Sequence, residues 1–313
     1  MMLGVDYAQM DVSGQPDFAA LHAAGFRYAY IRRSQGFADA AGHCHVLVDP
    51  SYARDVAAAR AAGLVVGAYM FPCLVRGAPS PADQVKVFLA AGGDVLPGDL
   101  PVCLDVEFPG RGIADTHLPQ ADVLELVIEH VAELRRALGY WPAIYTSHVQ
   151  MHDDNGLGLS GPTPGLTARA VATLNQCPLF IKTPYRLKAG QALDQVVPRD
   201  PHYVSDQLTD QGSYWRVPAP WQLTGWLDQQ FQGDARGIPG IAQADVSRFH
   251  VLARGTAGTD PLVALYRARL GLPSAGGWDD AFDAAVRSLQ ARHGLVVDAV
   301  IGPATASYIL TLP

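Results

Sequence analysis

The sequence predicts an α/β protein: an incomplete β/α barrel of the triosephosphate isomerase type, followed by a small C-terminal three-helix bundle. Three observations carry this. Short apolar runs alternate with amphipathic stretches over about the first 250 of 313 residues, the pattern of parallel strands with helical crossovers. Eight such runs suit a barrel. Near Arg254 the chain turns small and polar (ARGTAGTD), and three helix-sized segments follow.

The strand candidates, in order, are Leu3–Tyr7, Arg27–Arg33, Leu64–Phe71, Pro101–Phe108, Pro142–Ser147, Pro178–Thr183, Pro220–Thr224 and Ala244–Phe249. Helical segments lie at Asp17–Ala24, Pro50–Ala62 and Ala121–Leu138. The last is the clearest: Val123, Leu126, Val127, Val131, Leu134 and Leu138 recur at helical spacing, and Gly139 offers a stop. After Ser147 the connections are long and rich in Gly, Pro and Asp. Met151–Leu166 and Tyr185–Arg216 read as irregular excursions, so some later helices are expected to be replaced by loops. At the C-terminus the helices are expected at Pro261–Leu270 with Asp260 as cap, at Asp279–His293 ended by Gly294, and at Pro303–Leu310 with Pro303 in the first turn.

Composition excludes several classes. Hydrophobic residues are 49% and charged residues 17%, which is globular and not disordered. The balance of 23 basic against 30 acidic residues, a formal −7, argues against nucleic acid and against a cationic membrane-binding chain. No apolar run reaches the roughly 18 residues of a membrane span, so no stable membrane insertion is expected. MMLGVDYAQMD lacks a basic n-region, so no secretory signal peptide is expected. The four cysteines, Cys44, Cys73, Cys103 and Cys177, show no paired spacing and are expected mostly as buried thiols.

The chemistry is expected where acids close strands. In PVCLDVEF, Asp105 and Glu107 are two apart and so share a strand face. Their carboxylates would sit about 6–7 Å apart at a rise of about 3.3 Å per residue. Asp6 closes the first strand candidate and Asp245 lies in the last. First and last strands are neighbours in a closed barrel, so four acids converge on the carboxyl-end face where barrel enzymes do their chemistry. Crowded like charges raise the pKa of at least one carboxyl, which equips a site for cleaving glycosidic bonds.

With those acids stand GVDYAQ, YIRRSQG, DPSYARDVAAARAAGLVVGAYMF, LDVE, PAIYTS and WQLT followed by GIPGIAQADVSRF. In this order they resemble glycoside hydrolase family 25, the Chalaropsis-type lysozymes, over roughly residues 3–250. The resemblance implies a flattened, incomplete barrel with an acidic groove that hydrolyses the β-1,4 bond after N-acetylmuramic acid in bacterial peptidoglycan. It puts the family acids on Asp6, Asp105, Glu107 and Asp245, and the sugar-contacting aromatics on Tyr69, Tyr145 and Trp221. Glu107 is then the general acid and Asp105 stabilises charge near the anomeric centre. The family route implies participation of the substrate's 2-acetamido group, with a covalent two-carboxylate route as the rival. Three positions depart from the family pattern: Met70 for histidine, Leu223 for an aromatic residue and Phe180 for tryptophan.

LQARHGLVVDAVIGPATASYIL resembles the type 1 peptidoglycan-binding domain, except that Asp298-Ala299 replaces the usual Asp-Gly turn. Residues 1–252 are thus expected to be catalytic, 253–258 a linker and 259–313 a peptidoglycan-binding unit. The alternatives are a non-catalytic wall-binding protein, or a glycosidase acting on another N-acetylated glycan such as chitin. Against the latter, the chitinase pattern Asp-x-x-Asp-x-Asp-x-Glu is absent, since Cys103 stands where it needs an acid.

His43-Cys44-His45 lacks the second cluster of a zinc site, and His148, His152, Asp153 and Asp154 read as a solvated loop. No metal or organic cofactor is expected, and the chain is expected to act as a monomer. Of Arg32 and Arg33, one should face the barrel interior near the acids and the other outward; alternation alone does not say which. Without a signal peptide, release through a holin-type pore, as for a phage endolysin, is the expected route to the wall, with an injected effector second.

Overall fold

The computed structural model describes residues 2–8, 15–39, 43–92, 95–108, 112–147, 157, 168–174, 176–182, 226–238, 240–249, 251–256 and 261–312. Among the described residues, nine strands form one sheet: β1 (Met2–Tyr7), β2 (Phe26–Ala38), β3 (Cys44–Val48), β4 (Val65–Phe71), β5 (Cys103–Asp105), β6 (Ala143–Ser147), β7 (Leu179–Lys182), β8 (Trp226–Ile238) and β9 (Ile241–Phe249). Their order is β1-β9-β8-β7-β6-β5-β4-β2-β3, and β1 also pairs with β2. Eight strands therefore close a ring, with β3 outside it on the extended end of β2. Strands β1, β2, β4, β5, β6, β7 and β8 run parallel, and β9 is antiparallel to both its neighbours.

The helices are α1 (Phe18–Ala23), α2 (Tyr52–Ala61), α3 (Pro81–Ala90), α4 (Gln120–Leu138) and α5 (Ala168–Leu174) around the barrel, then α6 (Pro261–Arg269), α7 (Asp280–Arg292) and α8 (Pro303–Leu310). In α4, Val123, Val127, Val131 and Leu134 are buried at helical spacing, and Gly139 ends the helix at φ +81°. In α3, Pro81 sits in the first turn and Ser80 Oγ accepts from the Asp83 amide. Only a two-residue connection joins β8 to β9, so the helical layer is incomplete on that side, as expected.

The barrel interior is filled by rings from β2. A Cβ on Gly4 or on Gly67 would stand 2.2 Å from the ring of Tyr28 or of Tyr30 respectively. Glycine in β1 and β4 is what lets both rings lie flat across the interior. A second core lies between sheet and helices, including Val66, Met70, Leu104, Phe88, Val127 and Val131. Met70 therefore faces the helices and not the barrel interior.

The C-terminal helices pack beneath the barrel, at the amino ends of its strands. Tyr28, Phe249 and Leu252 share one buried cluster with Leu262, Tyr266, Phe282 and Ile309. Leu252 and Ile301 exchange two backbone hydrogen bonds, of 3.2 and 2.8 Å. Within the bundle, Gln290 holds the 298–300 turn: its Oε1 accepts from the Asp298 and Ala299 amides, and its Nε2 donates to Asp298 Oδ1, Val300 O and Thr305 Oγ1. Ala299 takes φ +60°, the conformation that favours glycine.

Two expectations need correction. Cys44 and Cys73 form a disulfide across 29 residues of sequence, and only Cys103 and Cys177 are buried thiols. The bond arises because β2 runs on past the barrel rim and turns back as β3, which brings Cys44 over the loop after β4. The strand around Asp105 and Glu107 is also shorter than Pro101–Phe108: β5 stops at Asp105, leaving Glu107 just beyond it. The expected strand Pro220–Thr224 and the excursion at Tyr185–Arg216 lie outside the described residues, apart from which β8 begins at Trp226.

Candidate active site

At the carboxyl ends of the parallel strands lies a cleft open to solvent, lined by Asp6, Tyr30, Arg32, Gln35, Tyr69, Phe71, Cys103, Asp105, Glu107, Tyr145 and Phe180. Strand register explains why these residues meet. Across β5, β6 and β7, Asp105 stands beside Tyr145 and Tyr145 beside Phe180. Across β2, β4 and β5, Arg32 stands beside Tyr69 and Tyr69 beside Cys103. Asp6 neighbours Tyr30 on one side and Asp245 on the other.

Three of the four expected acids, Asp6, Asp105 and Glu107, thus line one cleft, with two of the three expected aromatics, Tyr69 and Tyr145. Asp245 is the direct cross-strand partner of Asp6 by backbone register; its side chain, Trp221 and Leu223 lie outside the described atoms, as do His148, His152, Asp153 and Asp154. Asp105 is buried and Glu107 half-buried. Ser247 Oγ donates to Asp6 Oδ2 at 2.6 Å, tying the first strand to the last. The Val106 amide donates to Tyr145 O at 2.8 Å, which continues the β5–β6 ladder past Asp105 and fixes the backbone that carries Glu107.

The aromatic wall is a packed set. Tyr145 meets Phe180 edge-on at 4.7 Å between centroids, Tyr30 approaches Phe180 at 5.6 Å, and Tyr30 donates its hydroxyl to Pro101 O. Phe180, one of the departures from the family pattern, is therefore part of the cleft wall.

Of the two arginines, Arg32 lines the cleft. Its guanidinium is the one cationic side chain among the described lining residues. Tyr30, Gln35 and Phe71 were not anticipated. The alternation that places Arg32 also places Tyr30 two residues earlier; Gln35 joins them only because of an irregularity in the β2–β4 register between Arg32 and Ser34, which no sequence pattern announces. Among the described residues, no group of three or more His, Cys, Asp or Glu side chains is arranged to hold a metal ion. His43 and His45 instead lie against Asp39, with His45 Nε2 and Asp39 Oδ2 3.0 Å apart. No helix among the described residues is long and apolar enough to cross a membrane.

Among curated proteins, no sequence matches this chain. Among solved structures it is similar to a bacterial lysozyme from Streptomyces coelicolor, with a TM-score of 0.54 and 17% identity, covering 84% of this chain and 96% of that one. It is similar to a muramidase from Acremonium alcalophilum, with a TM-score of 0.53 and 22% identity over 85% of this chain and 98% of that one. A family GH25 lysozyme from Aspergillus fumigatus gives 0.52 and 19% over 80% and 93%. At these identities the likeness is one of fold. Residues 6–160 match the family model Glycosyl hydrolases family 25. That segment, similar to the family over just under half of the chain, carries Asp6, Asp105 and Glu107 into the cleft, and the chain is a glycoside hydrolase.

Proposed function

We propose that this chain is a peptidoglycan hydrolase, a muramidase that cleaves the β-1,4 bond between N-acetylmuramic acid and N-acetylglucosamine. The observation that carries the reading is the convergence of Asp6, Asp105 and Glu107 on one aromatic-walled cleft at the carboxyl ends of the strands. The lysozyme and muramidase names of its structural neighbours support the choice of polymer.

In this reading Glu107 protonates the glycosidic oxygen as the C–O bond breaks. Asp105 holds the substrate's 2-acetamido group, whose carbonyl oxygen attacks the anomeric carbon to give an oxazolinium ion. Water then opens that ring, Glu107 takes its proton, and the anomeric configuration is retained. Asp105 never bonds to the sugar, unlike the nucleophile of the covalent route. Asp6 and Asp245 shape the field around the reacting centre and hydrogen-bond the substrate. Tyr69, Tyr145 and Trp221 stack on sugar rings. The C-terminal helices serve as a peptidoglycan-binding unit, and the enzyme works as a monomer on the bacterial wall in the manner of an endolysin.

Mass spectrometry of a digest of purified sacculi tests this. Reducing muramic acid ends are expected. Reducing glucosamine ends, anhydro ends or no release would overturn the reading.

A further inference from the structure

The β2–β3 hairpin stands outside the barrel ring, and nothing in the reaction above uses it. Its register is regular, with Gln35 opposite Leu47 and Phe37 opposite His45. Side chains two apart share a face, so Gln35, Phe37, His45 and Leu47 lie on one face, and Gly36, Ala38, Cys44 and Val46 on the other. Gln35 lines the cleft. The first face is therefore a continuation of the cleft wall, with Phe37 about 7 Å farther along the strand than Gln35.

That face carries two exposed apolar side chains. Phe37 is 37% exposed and Leu47 44% exposed. The rings of Phe37 and His45 stack at 5.2 Å between centroids with 29° between planes, and Asp39 orients the imidazole from its edge. The opposite face is fixed to the body. A Cβ on Gly36 would stand 2.3 Å from the Cys73 amide nitrogen, so the hairpin backbone rests directly on the loop after β4. Cys44 is bonded to Cys73. From α3, Gln84 accepts from the Cys73 amide at 2.8 Å and donates to its carbonyl at 3.1 Å. The hairpin is thus bolted down on one face while the other leaves the Phe37 and His45 rings and Leu47 exposed beside the cleft, where exposed apolar side chains suit a ligand.

We propose that Phe37, His45 and Leu47 form an outlying saccharide subsite that takes one pyranose of the glycan strand beyond those held in the acidic cleft. This rests on the muramidase reading, because the occupant is the same polymer continuing out of the cleft. A pyranose presents C–H faces that suit the stacked rings and equatorial polar groups that suit the Gln35 amide and the imidazole edge. The platform adds binding energy to long strands, and a short fragment that fills only the cleft does not reach it.

The test compares kcat/KM on a tetrasaccharide and on an octasaccharide of alternating N-acetylglucosamine and N-acetylmuramic acid, for the wild type, Phe37→Ala and Phe37→Trp. The wild type is expected to favour the longer substrate. In Phe37→Ala that preference falls about tenfold, through KM, as loss of about 1.4 kcal/mol of contact requires. Phe37→Trp restores it. A wild type that cleaves both substrates, with Phe37→Ala unchanged in its length preference, overturns the subsite and leaves the muramidase reading standing. A wild type that cleaves neither overturns both.

Discussion

Arg32 and Arg33 are adjacent in β2 and lie on opposite sides of the sheet. Arg32 lines the cleft. Arg33 passes under the sheet, where its Nη2 donates to Leu89 O at 3.1 Å and Ala91 O at 2.5 Å, and its guanidinium lies 5.2 Å from the Tyr52 ring centroid and 5.0 Å from that of Phe88. One arginine thus ties the end of α3 to the sheet, while its neighbour puts a positive charge among the acids.

This division predicts opposite phenotypes. Arg33→Met leaves the two carbonyls without their donor and is expected to lower stability by about 2 kcal/mol or more. Arg32→Met is expected to lower turnover on wall fragments with a much smaller change in melting temperature. Thermal melts and kinetics on the two purified variants check it; a larger stability loss in Arg32→Met would reverse the assignment.

Glu107→Gln is nearly isosteric and cannot donate a proton. It is expected to lower wall lysis by about 10²–10⁴-fold while melting like the wild type. Retention of more than about a tenth of wild-type activity in the purified variant excludes Glu107 as the acid.

His130 makes acid a threat to α4. It is fully buried, its Nδ1 lies 2.8 Å from Leu126 O, and Nε2 meets no hydrogen-bond partner among the described residues. Burial pulls its pKa from 6.5 down to about 4. Protons therefore bind the unfolded chain more readily than the folded one between these values. The stabilisation is complete above pH 6.5 and drains away as the pH falls towards 4, by about 3 kcal/mol in all. In His130→Leu the loss of stability between pH 7 and pH 4 should shrink by about that amount. Denaturant melts at both pH values measure it, and an unaltered pH dependence would show that other groups drive acid unfolding.

The Cys44–Cys73 bond closes a loop of 29 residues, for which loop-closure entropy gives about 3–4 kcal/mol. The Cys44→Ser, Cys73→Ser double variant is expected to lose stability on that scale, and reductant should have the same effect on the wild type alone. Equal melting of the wild type with and without reductant would contradict this.

A chain ending at residue 252 is expected to cleave soluble wall fragments and to act weakly on intact sacculi. The C-terminal helices lie at the far end of the barrel from the cleft, so they supply no reacting group. The truncated chain should also melt lower, because Tyr28, Phe249 and Leu252 lose their cover. A folded product inert on soluble fragments would mean that the helices complete the site.

Elements with a strong period were legible from sequence: α4 by its valine and leucine spacing, α7 and α8 by Asp279 and Pro303 at their starts, and the strands that carry Asp6 and Asp105 by apolar runs ending in acid. Helix α3 was missed although Ser80-Pro81 with Asp83 marks its first turn. Strand β8 was missed because WLDQQFQGDARGI shows no apolar alternation. The hairpin and its disulfide were missed because their pairing is set by where β2 leaves the barrel, a property of the closed sheet and not of local residues. Asp6, Asp105 and Glu107 were legible as acids that close strands, and Tyr69 and Tyr145 only through the family resemblance; Gln35 was not legible, because the register irregularity shifts it.

The hydrogen bond from Ser247 to Asp6 joins residues 241 apart in sequence. On the ribosome, at about 5–20 residues per second, β1 waits on the order of ten seconds for β9 to be made. Every shorter nascent chain has an open barrel, with Asp6 on an unpaired strand edge. Closing so long a loop is also a late and slow event in folding. Assembly of the cleft is therefore coupled to near-completion of synthesis, and a chain cut short before β9 has no finished wall against which a sugar could be held.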